Sequence, residues 1–250
     1  MQRGPSILLV MSLSFLLPLL CFSSLNAQEV EKEAAIIVKY VDMPSDVLLN
    51  PPLLSMVIAG DVPPWKDIGA VDVVLSSAPS VVSGRAFKTA IRSVKVKTLH
   101  NGKDIFIMLN WTDGTMNAKE SSSTFADGAA VQLPLVIGPI LPNYIKGQQD
   151  AYVNITYWRA DRKKPDNIVA NGIGTVAVTN TKGENLSANG YWKLGQWTVI
   201  ISRPLKTGSD NQTQLARGTE TFIAFAVWDG EGNQRDGHKS VSFWQTLRLE

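Results

Sequence analysis

Cysteine and histidine are almost absent from this chain of 250 residues: Cys21 is the single cysteine, and the two histidines are His100 and His238. One cysteine excludes an intramolecular disulfide framework, a cysteine-ligated zinc site and an iron–sulfur cluster. It also excludes the Cys-x-x-Cys-His motif that attaches c-type haem covalently. The Gly-x-Ser-x-Gly nucleophile elbow and the Gly-x-x-x-x-Gly-Lys phosphate loop are missing as well. The sequence therefore lacks the common signatures of hydrolases and nucleotide-binding enzymes.

Charged residues are also scarce. They make up 18% of the chain, and 24 basic residues against 22 acidic ones give a formal net charge of +2. Together with 44% hydrophobic residues, this composition excludes a disordered chain and a nucleic-acid-binding arm. After the N-terminal region, no apolar run reaches the ~20 residues that a membrane-spanning helix needs. We therefore expect a folded body with no transmembrane segment.

The N-terminus has the three-part pattern of a secretory signal peptide. Arg3 supplies the positive start, residues 7–20 are apolar apart from two serines and a proline, and Ala27 offers a small residue for cleavage. We predict a signal peptide over 1–27 and a single mature domain over 28–250, exported to the periplasm or an equivalent non-cytoplasmic compartment. Arg3 is the only charge removed, so the mature chain has 23 basic and 22 acidic residues, a net charge of +1.

The body of the chain has the period-two pattern of β-strands. Over 91–98 valines alternate with lysines, a His-Asn-Gly turn follows at 100–102, and 104–111 is apolar on both faces. This pattern predicts a hairpin whose second strand is central in a sheet. Further strands are predicted at 152–158, 175–179, 196–202, 221–228 and 240–249, and in the last of these Val241 and Phe243 should face inward. The spacing predicts an all-β fold, an antiparallel sandwich or barrel.

Two loops are long enough to indicate a function. The first, 112–127, is polar. The second, 134–150, contains an apolar stretch at 135–144, which implies that a cofactor, a partner or the sheet itself covers it. A shorter loop, 229–236, alternates oxygen-bearing side chains as a calcium loop does, but it lacks the glycine at the sixth position and the closing glutamate. An exposed loop between two strands is therefore favoured there over a calcium loop.

Tryptophan is abundant, with seven in the chain. Five of them lie in or at the ends of predicted strands: Trp111, Trp158, Trp197, Trp228 and Trp244. Exposed rings would form a sugar-binding face, whereas buried rings would pack the core of a sandwich, which is the more common use.

Four segments occur in an order that matches a known family. Residues 94–113 form a hairpin ending in Trp-Thr-Asp, and residues 125–134 begin with Phe-Ala-Asp-Gly. Residues 141–161 include Val-Asn-Ile-Thr-Tyr-Trp-Arg-Ala-Asp, and residues 225–230 (Phe-Ala-Val-Trp-Asp-Gly) are followed by a related stretch at 237–249. Together they resemble the haem b-binding γ subunits of exported molybdenum enzymes of the dimethyl sulfoxide reductase superfamily. Complexes that oxidise or reduce ethylbenzene, dimethyl sulfide, selenate, chlorate and nitrite contain such subunits.

The resemblance implies a particular fold and cofactor. It implies a β-sandwich related to carbohydrate-binding modules, with long loops enclosing one non-covalent haem b whose iron is ligated by a lysine and a methionine. The lysine corresponds to Lys239. The family's methionine lies in a Phe-Met-Met-Gly-like stretch, where this chain has Tyr144, Ile145, Lys146 and Gly147. We therefore expect Lys239 as one axial ligand and Lys146, in place of the methionine, as the other.

Other ligands are chemically possible. His238 competes with Lys239, because imidazole is the commonest haem ligand. Neighbouring side chains of a strand point to opposite faces, so only one of the two can reach the iron. Met108 and Met116 are alternatives to Lys146, although Met108 is expected in the core. A lysine binds iron only as the neutral amine, which costs roughly 4–5 kcal/mol at pH 7 for an ordinary pKa of ~10.4. Burial and the charge of the iron both reduce that cost.

The expected function is that of a non-catalytic electron-transfer subunit. It would relay electrons between an iron–sulfur β subunit, which contacts the molybdenum-containing catalytic α subunit, and a soluble cytochrome. A carbohydrate-binding β-sandwich without haem is the alternative from a different functional class. A haem-free scaffold derived from the same family is a third possibility.

Overall fold

The computed structural model describes residues 1, 35–49, 63–79, 89, 91–121, 124–180 and 184–250. The chain divides into two units, Met1–Lys32 and Glu33–Glu250, and every described helix and strand lies in the second. Apart from Met1, the predicted signal peptide lies outside the described residues. Within the described part of the chain, no helix has both the length and the apolar character needed to cross a bilayer.

Strands are the dominant secondary structure of the described residues. Fourteen strands, one α-helix and one 3₁₀ helix occur among them. In chain order they are β1 (Ile36–Tyr40), α1 (Ser45–Leu49), a 3₁₀ turn (Trp65–Asp67), β2 (Val71–Val74), β3 (Ser76–Ser77), β4 (Ser93–His100), β5 (Asp104–Thr112), β6 (Gly128–Pro134), β7 (Val153–Arg159), β8 (Asp166–Ala170), β9 (Ala177–Val178), β10 (Ser187–Lys193), β11 (Gln196–Pro204), β12 (Glu220–Trp228), β13 (Ser240–Val241) and β14 (Gln245–Leu249).

The strands form one continuous sheet that folds into two packed layers. Its main order is β10-β11-β5-β4-β1-β14-β12-β6-β7-β8-β9. Strand β1 connects the two halves and is parallel to both of its neighbours, β4 and β14, whereas the other pairs are antiparallel. Side chains of β4, β5 and β11 pack against those of β6, β7 and β12 in one core cluster. The predicted β-sandwich is therefore confirmed, with β1 as a parallel addition.

The predicted hairpin and its central strand are both present. Val94 and Val96 are buried while Lys95 is exposed, as the alternation requires. Strand β5 lies between β4 and β11. One of its faces enters the main core through Ile107, and the other packs Met108 into a second cluster beneath α1. Burial on both faces explains why this stretch of sequence has no polar side.

The last predicted strand, 240–249, is interrupted, and the inward position predicted for Phe243 is wrong. Strand β13 pairs Val241 with Ala226, whereas β14 pairs Gln245 with Ile223, so one extra residue is inserted between the two ladders. Such a bulge reverses the side-chain alternation. Val241 is consequently buried, but Phe243 is 63% exposed and packs on the ring of Tyr144, 4.7 Å between centroids.

The seven tryptophans do not form an exposed aromatic face. Five are buried, and Trp192 and Trp244 are half-buried. Trp158 on β7 meets Trp197 on β11 edge-to-face across the sandwich, with ring centroids 5.2 Å apart. The interpretation of these rings as core packing is confirmed.

Candidate cofactor site

A cavity of about 420 Å³ lies on the face of β7, β8 and the end of β12 that points away from the main core, next to the loop 229–239. A smaller cavity of about 40 Å³ adjoins it beneath the loop 134–150. Four residues line both cavities: Lys146, Ile155, Trp228 and Lys239. The structure thus brings the two sequence-predicted lysines, 93 positions apart in the chain, to the same place.

Lys239 immediately precedes β13 and is directed into the cavity. Lys239 and Val241 both line the smaller cavity, so they share one face, as the period-two pattern predicts. The Nζ atom lies 3.3 Å from the carbonyl oxygen of Asp236 and 5.0 Å from the ring centroid of Trp228. The pKa of Lys239 is lowered from 10.5 to about 7, chiefly by burial and also by the charge of Lys146, while Asp236 acts in the opposite direction. Near neutral pH this amine is therefore available with a free lone pair.

Lys146 is presented by a tight turn with unusual backbone angles. It has a φ of +63°, and Gly147 follows with a φ of +76°. The turn is closed by two hydrogen bonds of 2.8 Å, from Gly147 N–H to the carbonyl of Asn143 and from Gly172 N–H to the carbonyl of Lys146. A Cβ on residue 147 would lie 2.6 Å from the carbonyl oxygen of Ala151, so only glycine fits there. These constraints hold the Lys146 side chain at the wall of both cavities.

The remaining lining is apolar on one side and charged on the other. The smaller cavity is walled mainly by small and aliphatic residues: Ala130, Ile145, Ile155, Ala224, Ala226 and Val241. At the mouth of the larger cavity lie three arginines, of which Arg159 and Arg162 are paired with neighbouring carboxylates. Arg235 stacks on Phe125 at 4.5 Å, and its contact with Asp236 is 4.0 Å long. The two adjoining cavities therefore combine an apolar wall with a charged part in which arginines and carboxylates alternate.

Two aromatic residues complete the wall. Trp228 and Tyr157 pack with their ring centroids 4.7 Å apart. The Nε1 of Trp228 is buried and makes no hydrogen bond within the described part of the molecule. Burial raises the pKa of Tyr157 to about 12, so its hydroxyl stays protonated in the physiological range. The sequence pattern does not identify Trp228 or Tyr157 as a site residue. Trp228 lies in the Val-Trp-Asp-Gly segment, which matches the family but does not indicate a role for the ring.

The other sequence candidates lie elsewhere. His238, next to Lys239, is not among the residues that line either cavity. Met108 is 2% exposed in the core cluster beneath α1, as expected. Met116 is 55% exposed in the polar loop. Neither methionine lies on the cavity wall, whereas Lys146 and Lys239 both do.

Comparison with known proteins gives consistent results. The ethylbenzene dehydrogenase family profile matches residues 63–187 and 173–240. A Haloferax mediterranei protein assigned as a respiratory nitrate reductase heme subunit is 34% identical over 181 residues, 72% of this chain and 64% of that protein. The chlorate reductase subunit gamma of Ideonella dechloratans is 33% identical over 190 residues, 74% of this chain and 77% of its own length.

A third relative is more distant. The dimethylsulfide dehydrogenase subunit gamma of Rhodovulum sulfidophilum is 29% identical over 162 residues, 62% of this chain and 59% of that subunit. The alignment therefore spans less than two thirds of this relative and of the Haloferax protein. Among solved structures, a candidate carbohydrate-binding protein from Bacteroides uniformis matches with a TM-score of 0.50 at 11% identity, covering 87% of this chain and 100% of that one. At this identity the likeness concerns the fold alone.

Proposed function

Because the chain belongs to the ethylbenzene dehydrogenase family and is related to γ subunits of molybdenum oxidoreductases, we propose that it is the haem-carrying electron-transfer subunit of such a complex. The observation that carries this proposal is the convergence of Lys146 and Lys239 on one cavity. One non-covalent haem b would occupy the cavity, with an amine on each side of its iron. The subunit would act after export and would not itself be the catalyst.

The residues present fit a haem in three respects. The cavity volume of about 420 Å³ is within the range of ~300–1,000 Å³ that is typical of ligand and cofactor sites. The apolar wall suits the ring and its hydrocarbon substituents, and Arg235 at the mouth is placed to pair with propionates. The donor set contains a lysine whose pKa is already lowered to about 7, so the deprotonation that metal binding requires costs little.

A bound haem supplies one-electron redox chemistry at its iron. Lys146 and Lys239 would hold the iron through their amines, so that the haem would carry electrons rather than bind substrate or oxygen. Two amines would also set a lower reduction potential than a lysine and methionine pair, since a thioether favours the ferrous state. The apolar wall and the buried Trp228 exclude water from the ring face. These properties are those of an electron relay.

The proposed partners follow from the relatives. The chlorate reductase and dimethylsulfide dehydrogenase chains are named as γ subunits, which implies other subunits in their complexes. For this chain we infer an iron–sulfur β subunit as the direct neighbour, the molybdenum-containing α subunit beyond it, and a soluble cytochrome as the external redox partner. The carbohydrate-binding alternative finds no support at the surface, because none of the seven tryptophans is exposed.

The direct test is the cofactor content of the purified mature protein. We expect a Soret absorption band, one haem per chain, and complete extraction of the pigment into acidified organic solvent. A protein that lacks haem after expression with excess haem, and that instead binds immobilised polysaccharide, would contradict the proposal. Pigment that stays with the protein after extraction would contradict the non-covalent attachment.

A further inference from the structure

Three aspartates from distant parts of the chain meet next to the candidate cofactor site. Asp113 directly follows β5, Asp127 directly precedes β6, and Asp229 directly follows β12. One carboxylate oxygen from each lies within 4.8 Å of those of the other two. The sequence motifs Trp-Thr-Asp, Phe-Ala-Asp-Gly and Val-Trp-Asp-Gly contain these residues. The proposed electron-transfer function uses none of the three.

The cluster concentrates negative charge in a buried place. Asp127 is 0% exposed and Asp113 is 6% exposed. Within the part of the chain that the structure describes, no lysine, arginine or histidine forms a salt bridge with any of the three. Burial raises the pKa of Asp127 to about 6, and the Asp113 carboxylate adds to the effect. The pKa of Asp113 is also raised, first by burial and then, among the carboxylates, by Asp229. N–H donors compensate part of this charge, and a bound cation or a proton would compensate the rest.

One carboxylate oxygen of the cluster has no hydrogen bond of ordinary geometry. Both oxygens of Asp127 accept N–H bonds, from Gly230 at 2.8 Å and from Trp197 Nε1 at 2.9 Å among others. The Oδ1 of Asp113 accepts from Thr115 N–H at 3.1 Å. The Oδ2 of Asp113 is fully buried and has no partner of ordinary hydrogen-bond geometry within the described residues; its interaction with the indole N–H of Trp111, which is also unpaired by that geometry, lowers the pKa of Asp113 only in part. A buried carboxylate oxygen without a partner points to a missing ligand.

We propose that Asp113, Asp127 and Asp229 bind a divalent cation, Ca²⁺, that is independent of the haem. The maximum separation of 4.8 Å allows all three oxygens to contact one ion at the usual Ca²⁺–oxygen distance of about 2.3–2.6 Å. The donor set consists of oxygen alone, which excludes the thiolate and imidazole ligands that zinc and copper prefer. Ca²⁺ also tolerates irregular geometry and water ligands better than Mg²⁺ does.

Bound Ca²⁺ would fix the loops that form the cofactor cavity. Asp229 opens the loop that carries Arg235, Asp236 and Lys239, and Asp127 adjoins Phe125 and Ala126 of the cavity wall. The two loops are already in close contact, since a Cβ on Gly230 would lie 1.9 Å from the carbonyl oxygen of Phe125. The ion would therefore hold the end of β12 against the start of β6. The motif at 229–236 contributes Asp229 alone, rather than a complete calcium loop.

The test is a Ca²⁺ titration of the mature protein after treatment with a chelator. At a hundredfold excess over Kd, we expect CaCl₂ to raise the Tm by about 5–10 °C. Bound Tb³⁺ should emit when tryptophan is excited, because Trp197 donates directly to Asp127. Asp113→Asn and Asp229→Asn should each weaken Tb³⁺ binding at least about tenfold. Asp72→Asn, at an exposed residue paired with Lys95, is the matched control and should leave it unchanged.

The possible results distinguish a cation bound by the three aspartates from a proton bound by them. If the cluster holds a proton, Ca²⁺ will not shift the Tm, Tb³⁺ will not emit, and Asp113→Asn will stabilise the protein in chelator and in CaCl₂ alike. That result would overturn the proposal. Because the Tb³⁺ titration uses the unaltered protein, the test does not depend on the folding of any variant. It is also independent of the Soret band, so failure here and failure of the haem proposal can be told apart.

Discussion

Lys239 is held where its amine loses a proton far more easily than a surface lysine does. Desolvation is the main cause of its pKa of about 7, and the proximity of Lys146 adds to it. The positive charge of Lys146 repels an ammonium group on Lys239, which favours the neutral amine of Lys239. This is the form that binds iron. Binding of the Lys239 amine to iron would therefore be coupled to the release of one proton from that side chain.

The first prediction concerns the pH dependence of haem ligation. Protons and iron compete for the same lone pair, so the midpoint for loss of the Lys239 ligand must lie below the pKa of about 7 of the unligated amine. Because the folded-state pKa is below the unfolded value of 10.5, acidification removes the favoured neutral form and disfavours the ligated state. We expect the optical spectrum to change from low spin to high spin as the pH falls from 7 to 4. A midpoint at or above pH 8 would contradict this mechanism.

At the scale of elements, the sequence identified strands where alternation or turns were clear and missed those without such signals. Strand β6 (Gly128–Pro134) is buried at every position and consists largely of small residues, so it has no polar side to reveal it. Strand β10 (Ser187–Lys193) contains glycine because Trp158 occupies the place of a side chain at Gly190. The bulge after Val241 was not predictable, since it depends on which neighbours β13 and β14 pair with. The site was predictable only as residues matched to a family, and its wall arises from contacts between distant strands.

A buried polar chain joins three strands near the cavity. Arg203 on β11 donates to Asn154 on β7 at 2.7 Å, and Asn154 donates to Asn167 on β8 at 2.6 Å. Asn167 donates in turn to Glu184 at 2.9 Å. All four side chains are buried, and Arg203 keeps a pKa of about 10, so it remains charged. The chain of hydrogen bonds thus connects a buried cation to a buried carboxylate.

The second prediction concerns the stability of this chain of hydrogen bonds. Asn154→Ala removes the acceptor of Arg203 Nη1 and the donor to Asn167 Oδ1, and it leaves both atoms buried without that partner. We therefore expect the free energy of unfolding to fall by about 2–4 kcal/mol. Chemical denaturation measures the change. Arg248→Ala is the control, because its partner Glu220 is exposed and such pairs contribute below about 1 kcal/mol. Equal losses in the two variants would show that the buried chain of hydrogen bonds contributes no more than a surface pair.

At the scale of the whole molecule, an exposed apolar surface adjoins the cavity. Val136 is 73% exposed, Ile140 is 60% exposed and Phe243 is 63% exposed. Phe243 packs on Tyr144, which lines the smaller cavity, so the surface extends from the cavity wall. The chain carries a formal net charge of only +2, which gives little electrostatic steering. The sequence analysis expects a cofactor, a partner or the sheet to cover the 135–144 stretch. Tyr144 packs against the protein, whereas Val136 and Ile140 face solvent.

The third prediction concerns association with the proposed iron–sulfur subunit. Ile140→Lys should weaken binding at least about tenfold while leaving the haem spectrum unchanged, because a buried interface core disfavours charge. Surface plasmon resonance at two salt concentrations measures the affinity and the salt dependence of the association rate, which reports electrostatic steering. Val74→Lys alters a residue that is 78% exposed on β2, in the other half of the sheet, and should have no effect. Equal affinities for the two variants would place the partner elsewhere.

The measurement that tests the central claim most directly is the spin state of the haem iron in single ligand variants. Electron paramagnetic resonance and optical spectra should be low spin in the unaltered protein and should shift to high spin in Lys239→Ala and in Lys146→Ala. His238→Ala should keep the low-spin spectrum, since His238 is not on the cavity wall. Survival of the low-spin state in Lys146→Ala alone would return the second position to a methionine, with Met116 tested next. A low-spin spectrum that survives Lys239→Ala but is lost in His238→Ala would contradict the account.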